Sequence, residues 1–266
     1  MNRIEAKFQE LQRRSESAFM PYICAGDPTL EISRKLVLTL EKAGADLIEF
    51  GVPFSDPIAD GPTIQKASER ALMHRISLEQ ILEVVCTLRQ ETEIPIALMT
   101  YYNPIFRMGE EVFCAKAQAA GVDGIIIPDL PPEEAGKLLK LAPEHNLVVP
   151  LLVAPTSSPQ RLSLISSAST GFVYVVSVTG VTGARDTLSD EIRPMISQLR
   201  QYTEKPVCVG FGVSTRAQAN AVAQIADGVI VGSAIVNVID EHLGNESAIL
   251  SSVAEFAAEL AAGVKE

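Results

Sequence analysis

Short apolar, β-branched runs alternate with longer stretches of helical spacing from one end of the chain to the other. Read with a period of two for strands and about 3.6 for helices, the pattern predicts eight strands, at 18–24, 46–50, 94–100, 123–127, 146–153, 171–177, 206–210 and 227–232. Amphipathic segments lie between them, such as 30–44 and 110–121, and several stop at a glycine after their last turn, as helices often do. Ser77-Leu-Glu-Gln80 reads as a capping box that opens a second helix between the second and third strands. The first fourteen residues are charged and amphipathic, an extra helix ahead of the first strand.

Eight strands each followed by a helix, with no Pro/Ser/Gly-rich linker and no change of composition, predict one (β/α)8 barrel domain over residues 1–266 with extra helices. A doubly wound open sheet is the alternative, but it offers no reason for eight strands. The barrel also says where chemistry belongs, at the C-terminal ends of the strands and in the loops that follow them.

At the second strand, Asp46-Leu-Ile-Glu-Phe50, alternation puts Leu47 and Glu49 on one face. If that face is the interior, Glu49 is a carboxyl at the barrel mouth, poorly solvated and suited to proton transfer near neutral pH. The alternative is an outward Glu paired with a helix lysine. The next loop carries Asp56 and Asp60 among three prolines, which fix its backbone. Asp60 is a candidate catalytic carboxyl, or simply the lead-in to a helix starting near Thr63. After the seventh strand comes Gly210-Phe-Gly-Val-Ser-Thr215, and after the eighth Gly232-Ser-Ala-Ile235. Glycines at those two positions, with helix-start amides and the Ser233 hydroxyl, predict a phosphate site. Tight turns are the other use of such glycines. Ser177-Val-Thr-Gly-Val-Thr-Gly-Ala-Arg-Asp186 after the sixth strand suggests a loop that closes over a ligand. Tyr174, on that strand, is core or a hydroxyl reaching the mouth.

Charge narrows the functions. Lys+Arg 22 against Asp+Glu 33 gives a net charge of −11, which disfavours nucleic acid and anionic membrane surfaces and requires a local device for any anionic substrate. No sequence run approaches a membrane span in this reading, and the four cysteines, Cys24, Cys86, Cys114 and Cys208, lie in apolar contexts that suit reduced core thiols. The expected setting is cytoplasmic. Three histidines, none at a strand end, make a histidine metal centre a poor fit. No lysine is seated for a Schiff base. Carboxylate acid–base chemistry on a phosphorylated small molecule is what remains.

The run Glu49-Phe-Gly-Val-Pro-Phe-Ser-Asp-Pro-Ile-Ala-Asp-Gly-Pro62 resembles the signature of the tryptophan synthase alpha chain family. Ala25-Gly-Asp-Pro28, Tyr101-Tyr-Asn-Pro104, Pro128-Asp-Leu-Pro131, Gly180-Val-Thr-Gly183, Gly210-Phe-Gly212 and Gly232-Ser-Ala-Ile235 follow in the family's order. The resemblance implies retro-aldol cleavage of indole-3-glycerol phosphate to indole and glyceraldehyde 3-phosphate. It also implies a beta-chain partner holding pyridoxal phosphate, in an alpha2beta2 tetramer, and no cofactor in this chain. By the same resemblance Glu49 is the catalytic acid/base and Asp60 the second catalytic carboxyl. Gly183, Gly212, Gly232 and Ser233 form the phosphate grip with Phe211 beside it, Tyr174 stands near Glu49, and Thr182 meets Asp60 when the loop closes. Tyr22 and Tyr101 complete the expected substrate-binding set. Tyr22 replaces a phenylalanine common in the family, and Ser177-Val-Thr179 lacks an arginine some members carry. A free-standing lyase, a phosphosugar isomerase and a non-catalytic phosphate-binding barrel are the competing readings.

Overall fold

In a computed structural model of the chain, α1 (Arg3–Arg14) precedes β1 (Ala18–Cys24), α2 (Leu30–Lys42) and β2 (Ile48–Gly51). Two helices follow, α3 (Pro62–Met73) and α4 (Leu78–Leu88), then β3 (Ile96–Met99), α5 (Tyr102–Met108), α6 (Glu110–Ala120) and β4 (Gly124–Ile126). The second half runs α7 (Gly136–Glu144), β5 (Leu151–Val153), α8 (Pro159–Ala168), β6 (Val173–Val176), α9 (Arg185–Leu199), β7 (Val207–Gly210), α10 (Arg216–Ala223), β8 (Gly228–Val231), α11 (Ser233–Glu241) and α12 (Glu246–Lys265). The structure describes residues 1–176, 185–210 and 212–266, the side chains of 185–191 aside.

All eight strands are parallel neighbours in the order β4-β3-β2-β1-β8-β7-β6-β5. The ring closes between β4 and β5 through a single parallel bridge, Gly124 to Val148, with Ile125 N–H donating to the Val148 carbonyl at 2.9 Å. The expected (β/α)8 architecture is therefore the observed one. The predicted fifth strand, 146–153, is shorter than expected: Pro150 lacks the N–H a ladder needs, and regular strand starts at Leu151.

Alternation sorts the strand residues into two cores. Met20, Leu47, Ala97, Ile126, Phe172, Tyr174 and Ile230 fill the interior, while Phe19, Ile23, Ile48, Phe50, Leu98 and Val175 pack outward beneath the helices. The floor of the barrel is α1. Its Ile4, Phe8 and Leu11 belong to the interior cluster, and the side chain of Asn2, its N-cap, donates to the carbonyls of Asp123 (2.8 Å) and Asn146 (2.6 Å) across the β4–β5 seam. Gly124 makes room for this helix, since a Cβ there would stand 2.8 Å from Ile4 Cδ1.

Two expectations need correcting. Cys24, Cys114 and Cys208 are buried thiols, but Cys86 is exposed. The buried face of α4 is Leu78, Ile81, Leu82, Val85 and Leu88, and apolar neighbours in sequence do not bring position 86 onto it. Helix α12, 20 residues long with a mean hydropathy of 1.4 over its most apolar window, does reach the length and apolarity of a membrane span. Here Ile249, Val253, Ala257 and Leu260 are buried, and the helix packs on α2, α10 and α11. The capping box at Ser77 forms as predicted, with Gln80 N–H on Ser77 Oγ and Ser77 N–H on Gln80 Oε1.

Candidate active site

A cavity of about 630 Å³ opens at the C-terminal end of the barrel, with Glu49 and Asp60 at one end and Gly212, Gly232 and Ser233 at the other. Glu49 points into the barrel as the alternation with Leu47 requires, and Tyr22 and Ala97 are its register partners on β1 and β3. It is 1% exposed. Tyr174 Oη donates to Glu49 Oε2 at 3.4 Å, while Oε1 is buried without a hydrogen bond. Burial pushes the carboxyl up to about 8, the negative Asp60 adds to the rise, and the Tyr174 hydroxyl opposes it. A buried acceptor with no partner is costly, and here it belongs to a residue that lines the cavity.

Asp60 is held by the loop between β2 and α3. Val52 N–H donates to the Met99 carbonyl at the loop's start, and Asp60 N–H to the Pro57 carbonyl near its end. Gln65 Nε2 donates to the Asp60 carbonyl at 2.8 Å from the first turn of α3. Pro62 at the helix start and Gly61 at its cap show that Asp60 sits just outside the helix and is not its capping side chain. Burial raises its carboxyl to about 6, and the Tyr101 hydroxyl holds it down.

Tyr101 is not among the residues that line the cavity, but its hydroxyl reaches the Asp60 carboxyl. Its ring stacks on Phe54 with centroids 5.0 Å apart, and its oxygen accepts the Ala59 N–H at 2.9 Å, so it braces the loop that carries Asp60. Tyr22 does line the cavity. A Cβ on Gly51 would meet its ring at 2.6 Å, so Gly51 is the clearance that lets a tyrosine lie across the end of β2.

The two helix starts at the far end differ. Helix α10 carries a side-chain cap: Thr215 Oγ1 accepts the Gln218 N–H, and Gln218 Oε1 accepts the Ser214 N–H at 2.9 Å. Helix α11 has Gly232 as N-cap and no side-chain cap. Only from Ile235 and Val236 do its amides bond back, to the Gly232 carbonyl. The Ser233 and Ala234 amides are left aimed at the cavity with the positive end of the helix dipole behind them. Gly212, at φ +56°, takes the left-handed backbone that favours glycine. Among the described residues, this is an anion cradle built without a cation.

The structure thus brings Tyr22, Glu49, Asp60, Tyr174, Gly212, Gly232 and Ser233 to one cavity. Thr182, Gly183 and Phe211 lie outside the described residues. Thr63 and Asn237 line the cavity as well and were not anticipated. Asn237 was within reach of the sequence, since it stands four residues after Ser233 on the same face of α11.

The family model described as tryptophan synthase alpha chain matches residues 8–265. The chain belongs to the tryptophan synthase alpha chain family. It is 50% identical over 265 residues to the tryptophan synthase alpha chain of Geotalea uraniireducens, covering 100% of this chain and 98% of that one. It is 48% identical over 261 residues to that of Synechocystis, covering 98% of each. Among solved structures it resembles the tryptophan synthase alpha chain of Legionella pneumophila, with a TM-score of 0.91 at 37% identity, over 99% of this chain and 97% of that one. A Mycobacterium tuberculosis tryptophan synthase chain matches with a TM-score of 0.91 at 39% identity, over 100% of this chain and 99% of the other.

Proposed function

We propose that Glu49 is the acid–base group, and Asp60 its partner, in the alpha-chain reaction: retro-aldol cleavage of indole-3-glycerol phosphate to indole and glyceraldehyde 3-phosphate. The chain is a lyase of tryptophan biosynthesis. Cleavage adds a proton to C3 of the indole ring and removes the proton of the C3′ hydroxyl as that carbon becomes the aldehyde. The electrons of the broken C3–C3′ bond stay with the ring. A carboxyl near neutrality can give the first proton and take the second, and Glu49 has one oxygen free to do so. Asp60, more acidic, accepts the indole N–H and stabilises the positive charge on the protonated ring. The Ser233 and Ala234 amides and Gly212 hold the phosphate, with Gly183 and Phe211 beside them and Thr182 on the closing loop. Tyr22 and Tyr174 flank the reacting carbons, and Tyr101 acts on substrate through the Asp60 loop.

One observation carries this assignment: a buried carboxyl with an unpartnered oxygen shares a cavity with an uncapped helix start. Measuring indole release from indole-3-glycerol phosphate tests it. Glu49→Gln is expected to lower the rate at least about 10²–10⁴-fold, and undiminished release would remove Glu49 from the mechanism.

The reaction needs no cofactor in this chain, and pyridoxal phosphate belongs to the beta chain. The partner is a beta chain, and alpha2beta2 is the assembly we expect. Ile58 and Phe106, 85% and 68% exposed, supply apolar contact at the same rim, and Ile58 sits two residues before Asp60, so docking there acts on the catalytic loop. In the same assay an added beta chain should raise the alpha rate severalfold, whereas an indifferent rate fits a free-standing lyase. Residues 1–266 then act as one catalytic barrel, and the cytoplasm is its proposed location.

A further inference from the structure

Among the described residues the phosphate subsite holds only amides and a hydroxyl, in a chain of net charge −11 whose cavity already contains two carboxyls. A phosphate monoester must approach against that field. Arg70, on α3, is not free to help. Its guanidinium donates to both oxygens of Asp27 at 2.7 and 2.8 Å and to Asp240 at 2.6 Å, so the three side chains together are anionic.

Lys66 is differently placed. A small slot between α3 and α11 is lined by Thr63, Lys66 and Arg70 from one helix and Val236, Asn237 and Asp240 from the other. Thr63 and Asn237 also line the substrate cavity, so the slot borders it. Thr63, Lys66 and Arg70 are spaced i, i+3, i+7, which is one face of a helix. Lys66 is exposed, and among the described residues it forms no ion pair, whereas Arg70 and Asp240 beside it are already matched. Across the slot, Asn237 presents a neutral amide one turn from Ser233, where a carboxylate would have cancelled the charge.

We infer that Lys66 is the cationic element of the phosphate subsite, a capture and positioning residue that acts from α3, across the slot, on the phosphate held at the start of α11. The inference rests on the reading of that helix start as the phosphate site. It explains how an acidic protein collects an anionic substrate when the described residues of the cradle include no cation. It also gives Lys66 an effect on binding and none on the proton transfers at the other end of the cavity.

The test uses the full chain with its beta chain, comparing wild type with Lys66→Gln and Lys66→Arg. At low salt, Lys66→Gln should raise KM for indole-3-glycerol phosphate about 3–10-fold and leave kcat within about twofold. The loss should shrink as sodium chloride rises, since the screening length falls from about 30 Å at 0.01 M to about 8 Å at 0.15 M. Lys66→Arg should restore KM. Inorganic phosphate as a competitive inhibitor should weaken by the same factor, and uncharged indole should not. An unchanged KM and salt dependence in Lys66→Gln would overturn the inference, as would a loss that Lys66→Arg does not restore. If wild type released no indole, the proposed function would fail instead, and direct calorimetric titration of inorganic phosphate into wild type and Lys66→Gln would still decide the role of Lys66.

Discussion

Two carboxyls that titrate at about 8 and about 6 leave one working state between those values, with Glu49 protonated and Asp60 ionised. On the proposed mechanism, Asp60 gains a proton below that interval and stops accepting the indole N–H, and above it Glu49 loses the proton that ring C3 requires. The profile of kcat/KM against pH should therefore rise through about 6 and fall above about 8. Asp60→Asn should abolish the rise and leave the fall in place, and a rising limb that survives the substitution would assign it elsewhere. At this scale the sequence was legible where a residue broke a local rule. An acid inside an apolar strand, in phase with Leu47, pointed at the mouth without help from tertiary structure. Asp60 was ambiguous because a turn aspartate and a catalytic one look alike until the loop is folded. Nor does anything along the chain show that the Tyr101 hydroxyl ends on the Ala59 amide. Thr63 and Asn237 depend on how α3 and α11 face each other.

Between elements, the neighbouring strands β6 and β7 set the orientation of Tyr174. A Cβ on Gly210 would stand 2.7 Å from Tyr174 Oη and 2.9 Å from its ring, so alanine there must push the phenol away from Glu49. Gly210→Ala is expected to lower kcat about 10–100-fold in the indole assay. Adding Tyr174→Phe should cost little more, because both changes break the same contact, and fully additive losses would show that Gly210 acts by another route. Helices and strands themselves were readable from period and punctuation, down to the capping box at Ser77. What failed was the face. Cys86 has apolar sequence neighbours but looks outward, and the fifth strand was drawn too long across Pro150 because hydrophobicity alone does not register a missing N–H. Helix α12 does not read as a long apolar run because Ser251, Ser252, Glu255 and Glu259 interrupt it.

For the molecule as a whole, the barrel is weakest where β4 meets β5, joined by one bridge and by the Asn2 amide. Asn2→Ala removes a helix cap and two seam hydrogen bonds at once. It should lower stability by about 2 kcal/mol, a drop in Tm of about 4–8 °C for a chain of this size, measurable by thermal melting, while KM and kcat at 25 °C stay near wild type. A Tm unchanged within a degree would mean the seam holds without it. Residues 121 and 144 positions apart form this contact, which is why the leading helix was readable as amphipathic but not as a stopper. That stopper has a kinetic meaning. With Ile4, Phe8 and Leu11 sealing the far end, the described residues leave the barrel one door. On the proposed mechanism substrate, aldehyde and indole share it, so a protein seated over that threshold decides whether indole escapes to bulk water or passes on.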